Sequence, residues 1–183
     1  MNKDSIKEEL IKIIKEKSLI TNVERVLTSG RTSNYYIDAK MTTLDPKGAN
    51  LTARLVLDIL KEFDVDAIGG YTLGADPIVS AVAALSVETE KPLPAFIVRK
   101  EPKKHGERKM IEGPFKSGWK VAVVDDVVTT GGSTLKACQA VEEEGGKVAL
   151  TLVLVDRLEG GRENIERKGY KFISLLTCQD ILE

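Results

Sequence analysis

The chain has few of the residues that build metal clusters and disulfide frameworks. Among 183 residues there are two cysteines and one histidine, and Cys138 and Cys178 lie far apart in apolar contexts. Their spacing matches no zinc motif and no disulfide framework. We therefore expect two reduced thiols in a cytoplasmic protein.

Long apolar runs and an excess of one charge are also missing. No apolar stretch approaches the roughly 18 residues that cross a bilayer, and residues 1–17 lack the apolar core and cleavage site of a signal peptide. Lysine and arginine total 27 against 28 acidic residues, which argues against a nucleic acid or an anionic membrane as the main partner. We expect a single soluble domain spanning residues 1–183, of which about 1–40 form a separate lobe.

Apolar strands alternate with helices along most of the chain. The predicted strands are Ala67–Gly69, Ala95–Val98, Val121–Val124, Val148–Val155 and Tyr170–Leu176. The predicted helices are an opening helix with Ser5 as its N-cap, a helix from the N-cap Asp45 to about Phe63, Gly74–Glu88 and Gly132–Glu144. This alternation predicts an α/β fold with a central parallel sheet flanked by helices. In such sheets, ligands bind beyond the carboxyl ends of the strands.

The most informative stretch joins the strand Val121–Val124 to the helix that begins near Gly132. It contains Asp125 and Asp126 and then the turn residues Val127, Val128, Thr129, Thr130, Gly131, Gly132 and Ser133. Successive N–H groups and a helix N-terminus form a phosphate cradle, although the spacing is neither Walker A nor GxGxxG. Since carboxylates accept hydrogen bonds from sugar hydroxyls, the stretch predicts a bound ribose 5-phosphate. The alternative is that the two acids only cap the turn.

A basic segment follows the strand Ala95–Val98. Arg99–Lys109 contains six basic and two acidic residues and the only histidine, His105, while Pro102 and Gly106 disfavour regular structure. Three interpretations of this segment are open: a solvated loop, a nucleic-acid-binding patch, or a lid that closes over a polyanion. The segment has no interleaved aromatic residues for base stacking. A lid would place cations where negative charge develops.

Two further strand ends bear polar groups. The turn with Tyr71, Thr72 and Gly74 can present N–H groups to an anion, although many strand-to-helix turns contain glycine. Arg157 follows a buried strand, and its planar guanidinium suits a carboxylate. The alternative is a surface arginine that pairs with Asp156 or Glu159.

Residues 121–134 closely resemble the PRPP-binding motif of the type I phosphoribosyltransferases, where PRPP is phosphoribosyl pyrophosphate. That resemblance implies a five-stranded parallel core, a small N-terminal hood with the C-terminal segment nearby, and PRPP complexed with Mg²⁺. Residues 27–40, 99–113 and 156–161 further resemble the orotate phosphoribosyltransferases of this family. The implied reaction joins orotate to PRPP, giving orotidine 5'-monophosphate and pyrophosphate in pyrimidine synthesis.

The resemblance also implies roles for individual residues. The ribose hydroxyls lie on Asp125 and Asp126, the 5-phosphate lies on the turn that ends at Ser133, and Mg²⁺ is held through PRPP and water without a direct protein ligand. Pyrophosphate contacts are Arg99, Lys100, Lys103, His105, Tyr71, Thr72 and Gly74, with Lys103 the strongest catalytic candidate. Orotate contacts are Arg157, Thr129, Tyr36, Ser29 and Lys40. The basic lid reaches a neighbouring subunit, which implies a homodimer.

Two alternatives remain open at this point. A purine phosphoribosyltransferase shares the PRPP motif but has no use for Arg157. A regulatory protein that senses PRPP would need a DNA-reading segment and would tend to lack the basic segment Arg99–His105.

Overall fold

The computed structural model describes residues 2–26, 32–102 and 109–183, and for residues 22–26 and 32–33 it describes the backbone alone. The predictions on Ser29, Lys103 and His105 therefore lie outside the described residues. In chain order the elements are α1 Lys3–Lys17, β1 Leu19–Val26, β2 Thr32–Ile37, α2 Lys40–Thr43, α3 Pro46–Leu60, β3 Ala67–Tyr71, α4 Asp76–Ser86, β4 Ala95–Val98, β5 Ile111–Glu112, β6 Lys120–Val128, α5 Gly132–Glu143, β7 Lys147–Asp156, α6 Gly161–Arg167, β8 Phe172–Thr177 and α7 Cys178–Leu182.

A sheet with the strand order β5-β4-β3-β6-β7-β8 forms the centre of the described part of the chain. The strands β4, β3, β6, β7 and β8 are parallel, and β5 pairs antiparallel with β4 at one edge. The predicted α/β class with a parallel sheet is confirmed. Because parallel strands end at the same edge, the loops after β3, β4, β6 and β7 meet there.

Helices cover the sheet, and the opening helix shares the main core. Leu10 and Ile14 of α1 are fully buried in the same cluster as Val56 of α3 and Ile68 of β3. The predicted cap of α3 is confirmed, since the Asp45 carboxylate accepts hydrogen bonds from the first-turn N–H groups. At the other end of the chain, α7 lies against α1.

The hood is a two-stranded antiparallel sheet, in which Leu19 of β1 pairs with Ile37 of β2. Ile37 is buried in the main core, so the hairpin is anchored at its base. The described part of the chain has no helix that is both long and apolar enough to cross a membrane.

Two predicted boundaries were wrong. The strand with the acid pair does not end at Val124, because β6 stays paired with β7 as far as Val128. The first helix is capped by Asn2 rather than Ser5, since the Asn2 side chain accepts the Ser5 N–H at 2.8 Å. The short elements α2, β5, α6 and α7 were not predicted, because a few residues show no clear periodicity.

Candidate active site

The turn between β6 and α5 has the backbone of an anion site. Gly131 adopts a left-handed conformation with φ 84° at the start of α5, and no side chain of the described residues caps this helix end. The first N–H groups of a helix lack intrahelical partners, and Gly132 and Ser133 are exposed. The turn can therefore donate hydrogen bonds to a phosphate.

The short helix α6 packs against this turn. The Asn164 amide donates to the Thr130 carbonyl at 3.0 Å. A Cβ atom at Gly161 would lie 2.6 Å from the Thr129 carbonyl oxygen, so only glycine permits this approach. Sequence reasoning missed both contacts, and the glycine pair at 160–161 was the available signal.

Asp125 is buried beneath α5. Its carboxylate accepts hydrogen bonds from the Thr134 hydroxyl at 2.8 Å and from the Asp126 N–H at 3.0 Å. Burial, with the neighbouring Asp126 charge, raises the pKa of Asp125 to about 7. The burial of an ionisable carboxyl at this edge is typical of a functional site.

Asp126 points to the opposite face of β6, because neighbouring residues in a strand alternate. Its carboxylate accepts the Val127 N–H at 2.8 Å, and a Cβ atom at Gly74 would collide with it. Burial raises the pKa of Asp126, while the positive charge of Lys40 opposes this. The predicted residues Asp126, Gly74 and Lys40 are thus brought together, while Asp125 lies beneath α5 and interacts with the Asp126 carboxyl group.

Both acids accept hydrogen bonds from groups of their own turn. This is the contact pattern expected if they cap the turn, the alternative that the sequence left open. Asp126 faces the turn after β3, while Asp125 is 5% exposed. Asp126 is therefore the better placed of the two to meet a sugar hydroxyl.

The turn after β3 lies beside the start of the basic segment. The Thr72 N–H donates to the Val98 carbonyl at 2.9 Å, its hydroxyl donates to Asp76 at 2.7 Å, and the Thr72–Leu73 peptide is cis. A cleft of about 560 Å³ is lined by Thr72, Leu73, Asp76, Ile97, Arg99, Lys100, Glu101 and Glu112. The predicted pyrophosphate contacts Thr72, Arg99 and Lys100 therefore share one cleft.

Among the predicted pyrophosphate contacts, Arg99 and Tyr71 have partners within the chain. Arg99 forms an ion pair with Glu112 at 3.0 Å. The Tyr71 ring packs against a core cluster, with the Lys136 ammonium 5.9 Å from its centroid. An anion in the cleft would compete with Glu112 for Arg99.

Arg157 lies at the end of β7, next to the phosphate turn. Its backbone N–H donates to the Val128 carbonyl at 3.0 Å, and its side chain is only 3% exposed. Nε lies 2.9 Å from a Glu159 carboxylate oxygen. The expected alternative of a pair with Glu159 is thus present, but the arginine is buried rather than on the surface.

The Tyr35 ring lies over the Arg157 side chain, a contact that the sequence did not predict. The Arg157 guanidinium carbon is 4.6 Å from the Tyr35 ring centroid. Tyr36 lies on the other side of β2, where its electrostatic interaction raises the pKa of Lys40, after the larger effect of the Asp38 partner. The predicted contact of orotate was Tyr36, with no role assigned to Tyr35, because strand register decides which face each tyrosine takes and a single sequence does not show it.

Comparison with known proteins agrees with this geometry. Residues 79–180, more than half of the chain, match the family described as "Phosphoribosyl transferase domain". Orotate phosphoribosyltransferase of Aquifex aeolicus (strain VF5) is 47% identical over 96% of this chain and 97% of its own length. That of Pyrococcus abyssi (strain GE5 / Orsay) is 43% identical over 97% and 96%. The chain belongs to the orotate phosphoribosyltransferase family.

Solved structures of the family share the fold. The crystal structure of Mycobacterium tuberculosis H37Rv orotate phosphoribosyltransferase in complex with PRPP has a TM-score of 0.81 and 35% identity. The similarity covers 97% of this chain and 99% of that chain. The predicted type I phosphoribosyltransferase fold and the resemblance to its orotate subfamily are therefore confirmed.

The raised pKa of Asp125 predicts a pH dependence of stability. An unfolded aspartate has a pKa of about 3.9, so between about pH 4 and 7 the folded state retains a proton that the unfolded state has released. Stability therefore falls as pH rises through this window, by up to about 1.4 kcal/mol per pH unit. Asp125→Asn cannot ionise, so its melting temperature should gain on that of the unmodified protein from pH 4 to 7. A constant difference between the two melting temperatures across this pH range would contradict the raised pKa of Asp125.

The approach of Gly74 to Asp126 predicts a specific effect of a single methyl group. Gly74→Ala must displace the Asp126 carboxylate from the Val127 N–H, since the added Cβ occupies its place. Overpacking of this kind costs about 1–3 kcal/mol, and we expect the KM for PRPP to rise about tenfold. The KM for the second substrate should stay within about twofold. An unchanged KM for PRPP in a folded variant would show that Asp126 does not contact the sugar.

Proposed function

We propose that this chain transfers the phosphoribosyl group of PRPP to orotate, giving orotidine 5'-monophosphate and pyrophosphate. The observation that supports it best is the buried Arg157 immediately beside the phosphate turn. A guanidinium at that point can bind the carboxylate that distinguishes orotate from other nucleobases. The activity is also the one named for the relatives that cover nearly the whole chain.

The proposed arrangement of PRPP uses three loops at one edge of the sheet. The 5-phosphate lies on the turn from Thr129 to Ser133, and the ribose hydroxyls lie on Asp126 and Asp125. The pyrophosphate lies along the turn from Tyr71 to Gly74, in the cleft that contains Arg99 and Lys100. Lys103 and His105, which lie outside the described residues, are proposed to join it there.

Orotate is proposed to bind between the phosphate turn and the hood. Arg157 binds its carboxylate, and Thr129 lies at the ring. Tyr36 and Lys40 are proposed to contact the base from the hood side, and Ser29 is proposed as a further contact. Tyr36 lies close enough to Lys40 to contribute to its raised pKa, after the larger effect of Asp38, so the two side chains could contact one base.

The proposed chemistry is an attack of the orotate ring nitrogen on C1 of the ribose, in which the nitrogen gives up its N–H proton to the departing pyrophosphate. The bond from C1 to the pyrophosphate oxygen breaks, and the transition state has oxocarbenium character, as in other glycosyl transfers. Negative charge then grows on the leaving oxygens, which Arg99, Lys100 and Lys103 stabilise. Exclusion of water at this stage prevents hydrolysis of C1.

Mg²⁺ is proposed to enter with PRPP. Among the described residues, no group of three His, Cys, Asp or Glu side chains could hold a metal ion. Magnesium commonly binds through substrate phosphates and retained waters, and we propose that PRPP and water, rather than protein side chains, hold it here. The metal would neutralise charge on the pyrophosphate.

A homodimer with the basic segment shared between subunits is part of the same proposal, on the family resemblance. A cytoplasmic location is also proposed. Both cysteines are buried free thiols, as is usual for a protein in a reducing compartment.

Consumption of orotate, followed by its ultraviolet absorbance with PRPP and Mg²⁺ present, tests the proposal. Hypoxanthine and adenine are tested in place of orotate under the same conditions. We expect turnover with orotate and none with either purine. Turnover with a purine instead would favour the purine enzyme. Binding of PRPP without any turnover would favour a regulatory protein.

A further inference from the structure

We propose that Tyr35 is a positioning residue for orotate selection, which acts by holding Arg157 rather than by touching the base. This inference rests on the proposed function, in which Arg157 binds the orotate carboxylate. It assigns the two neighbouring tyrosines different tasks.

The contact between Tyr35 and Arg157 joins the hood to the sheet. Tyr35 belongs to β2, and its ring is half-buried against the main core. The guanidinium carbon of Arg157 lies 4.6 Å from the ring centroid, within the range in which a cation is attracted to an aromatic face. The attraction is strong here because the arginine is removed from water.

The tyrosine hydroxyl interacts with the same group. Burial and contact with Cys178 raise the pKa of Tyr35, and the positive charge of Arg157 opposes that shift. The Cys178 thiol in turn donates to the Arg157 carbonyl at 3.2 Å. Tyr35 thus interacts directly with the Arg157 side chain, and also with Cys178, which is hydrogen-bonded to the Arg157 main chain.

The Arg157 side chain is held on two sides, since the Tyr35 ring centroid lies 4.6 Å from the guanidinium carbon and a Glu159 carboxylate oxygen lies 2.9 Å from Nε. The Arg157 backbone N–H also donates to the Val128 carbonyl, which fixes the main chain at this residue. Arginine normally loses rotamer freedom when it binds a ligand, and a prior constraint removes part of that cost. With Glu159 at the Nε edge, the substrate carboxylate would approach the Nη side.

Substitutions of Tyr35 test this role. Tyr35→Leu keeps an apolar side chain but removes the aromatic face, so the KM for orotate should rise about tenfold. The turnover number and the KM for PRPP should stay within about twofold. Tyr35→Phe keeps the ring, and its KM for orotate should stay within about threefold of the unmodified value. Melting temperatures identify any variant that fails to fold.

A double-mutant cycle separates positioning from direct contact with the base. Values of kcat/KM for orotate are measured for Tyr35→Leu, Arg157→Ala and the double variant. If Tyr35 acts through Arg157, then Tyr35→Leu changes kcat/KM by less than about twofold once Arg157 is absent. Full additivity would overturn the inference, since the ring would then act on the base independently.

The cycle also separates this inference from the proposed function. No turnover of orotate by the unmodified protein would refute the proposed function and the inference with it. Turnover that Arg157→Ala leaves unchanged would refute the role of Arg157 and the inference on Tyr35, but not the proposed reaction. A large effect of Arg157→Ala together with an unaltered KM in Tyr35→Leu would refute only the inference on Tyr35.

Discussion

Replacement of Arg157 by alanine is expected to reduce kcat/KM for orotate by about a hundredfold or more. A bidentate pair between guanidinium and carboxylate consists of two charge-assisted hydrogen bonds, each contributing about 1.5–3 kcal/mol. The KM for PRPP should change by less than about twofold, because Arg157 is proposed to contact orotate alone. Steady-state kinetics with each substrate varied in turn measures both values.

Arg157→Lys is the matched control for this prediction. It keeps the positive charge near Glu159 but cannot form a planar bidentate pair, so kcat/KM should fall between the values for the other two proteins. Arg157→Ala also leaves the Glu159 carboxylate, 12% exposed, without this cation, and unfolding experiments must accompany the kinetics. A folded Arg157→Ala variant with normal kcat/KM for orotate would exclude the proposed carboxylate contact.

Lys103→Ala should reduce turnover by roughly a hundredfold or more, as the loss of one preorganised charge at a developing anion can do. Lys103 lies outside the described residues, so the expectation comes from the charge of the segment and its family resemblance. Single-turnover measurements at saturating PRPP and orotate isolate the chemical step from binding and product release.

The neighbouring Lys104 provides a control of equal charge, since the resemblance assigns it no role. Lys104→Ala should retain turnover within about threefold of the unmodified protein. Near-normal turnover in Lys103→Ala would remove this lysine from the chemistry. Equal losses in both variants would indicate a general effect of the positive field rather than a specific contact.

The alternation of apolar strands with helices was readable from the sequence, because burial on both faces leaves a local pattern. The phosphate turn was readable for a related reason: Gly131 and its hydroxyl neighbours define a backbone path without reference to distant residues. The strand boundary was misplaced at Val124, because charged residues usually end a buried strand. Pairing with β7 overrode that preference and continued β6 through the acid pair.

Two adjacent acids looked equivalent in the sequence, yet they have separate environments in the structure. Asp125 lies under α5 with Thr134, while Asp126 faces Gly74 and Lys40. Strand alternation alone predicts opposite faces. Which face meets the turn after β3 depends on how the helices pack against the sheet, and no local pattern contains that information.

The fold class, the phosphate turn and an arginine beyond a buried strand were predictable from the sequence, because each depends on residues close together in the chain. The burial of Arg157 between Tyr35 and Glu159 and the support of the phosphate turn by Asn164 depend on tertiary packing. Tyr35 and Asn164 come from elements distant in sequence. Their contacts exist because the hood and α6 pack against the sheet, and side-chain packing rather than local propensity sets that arrangement.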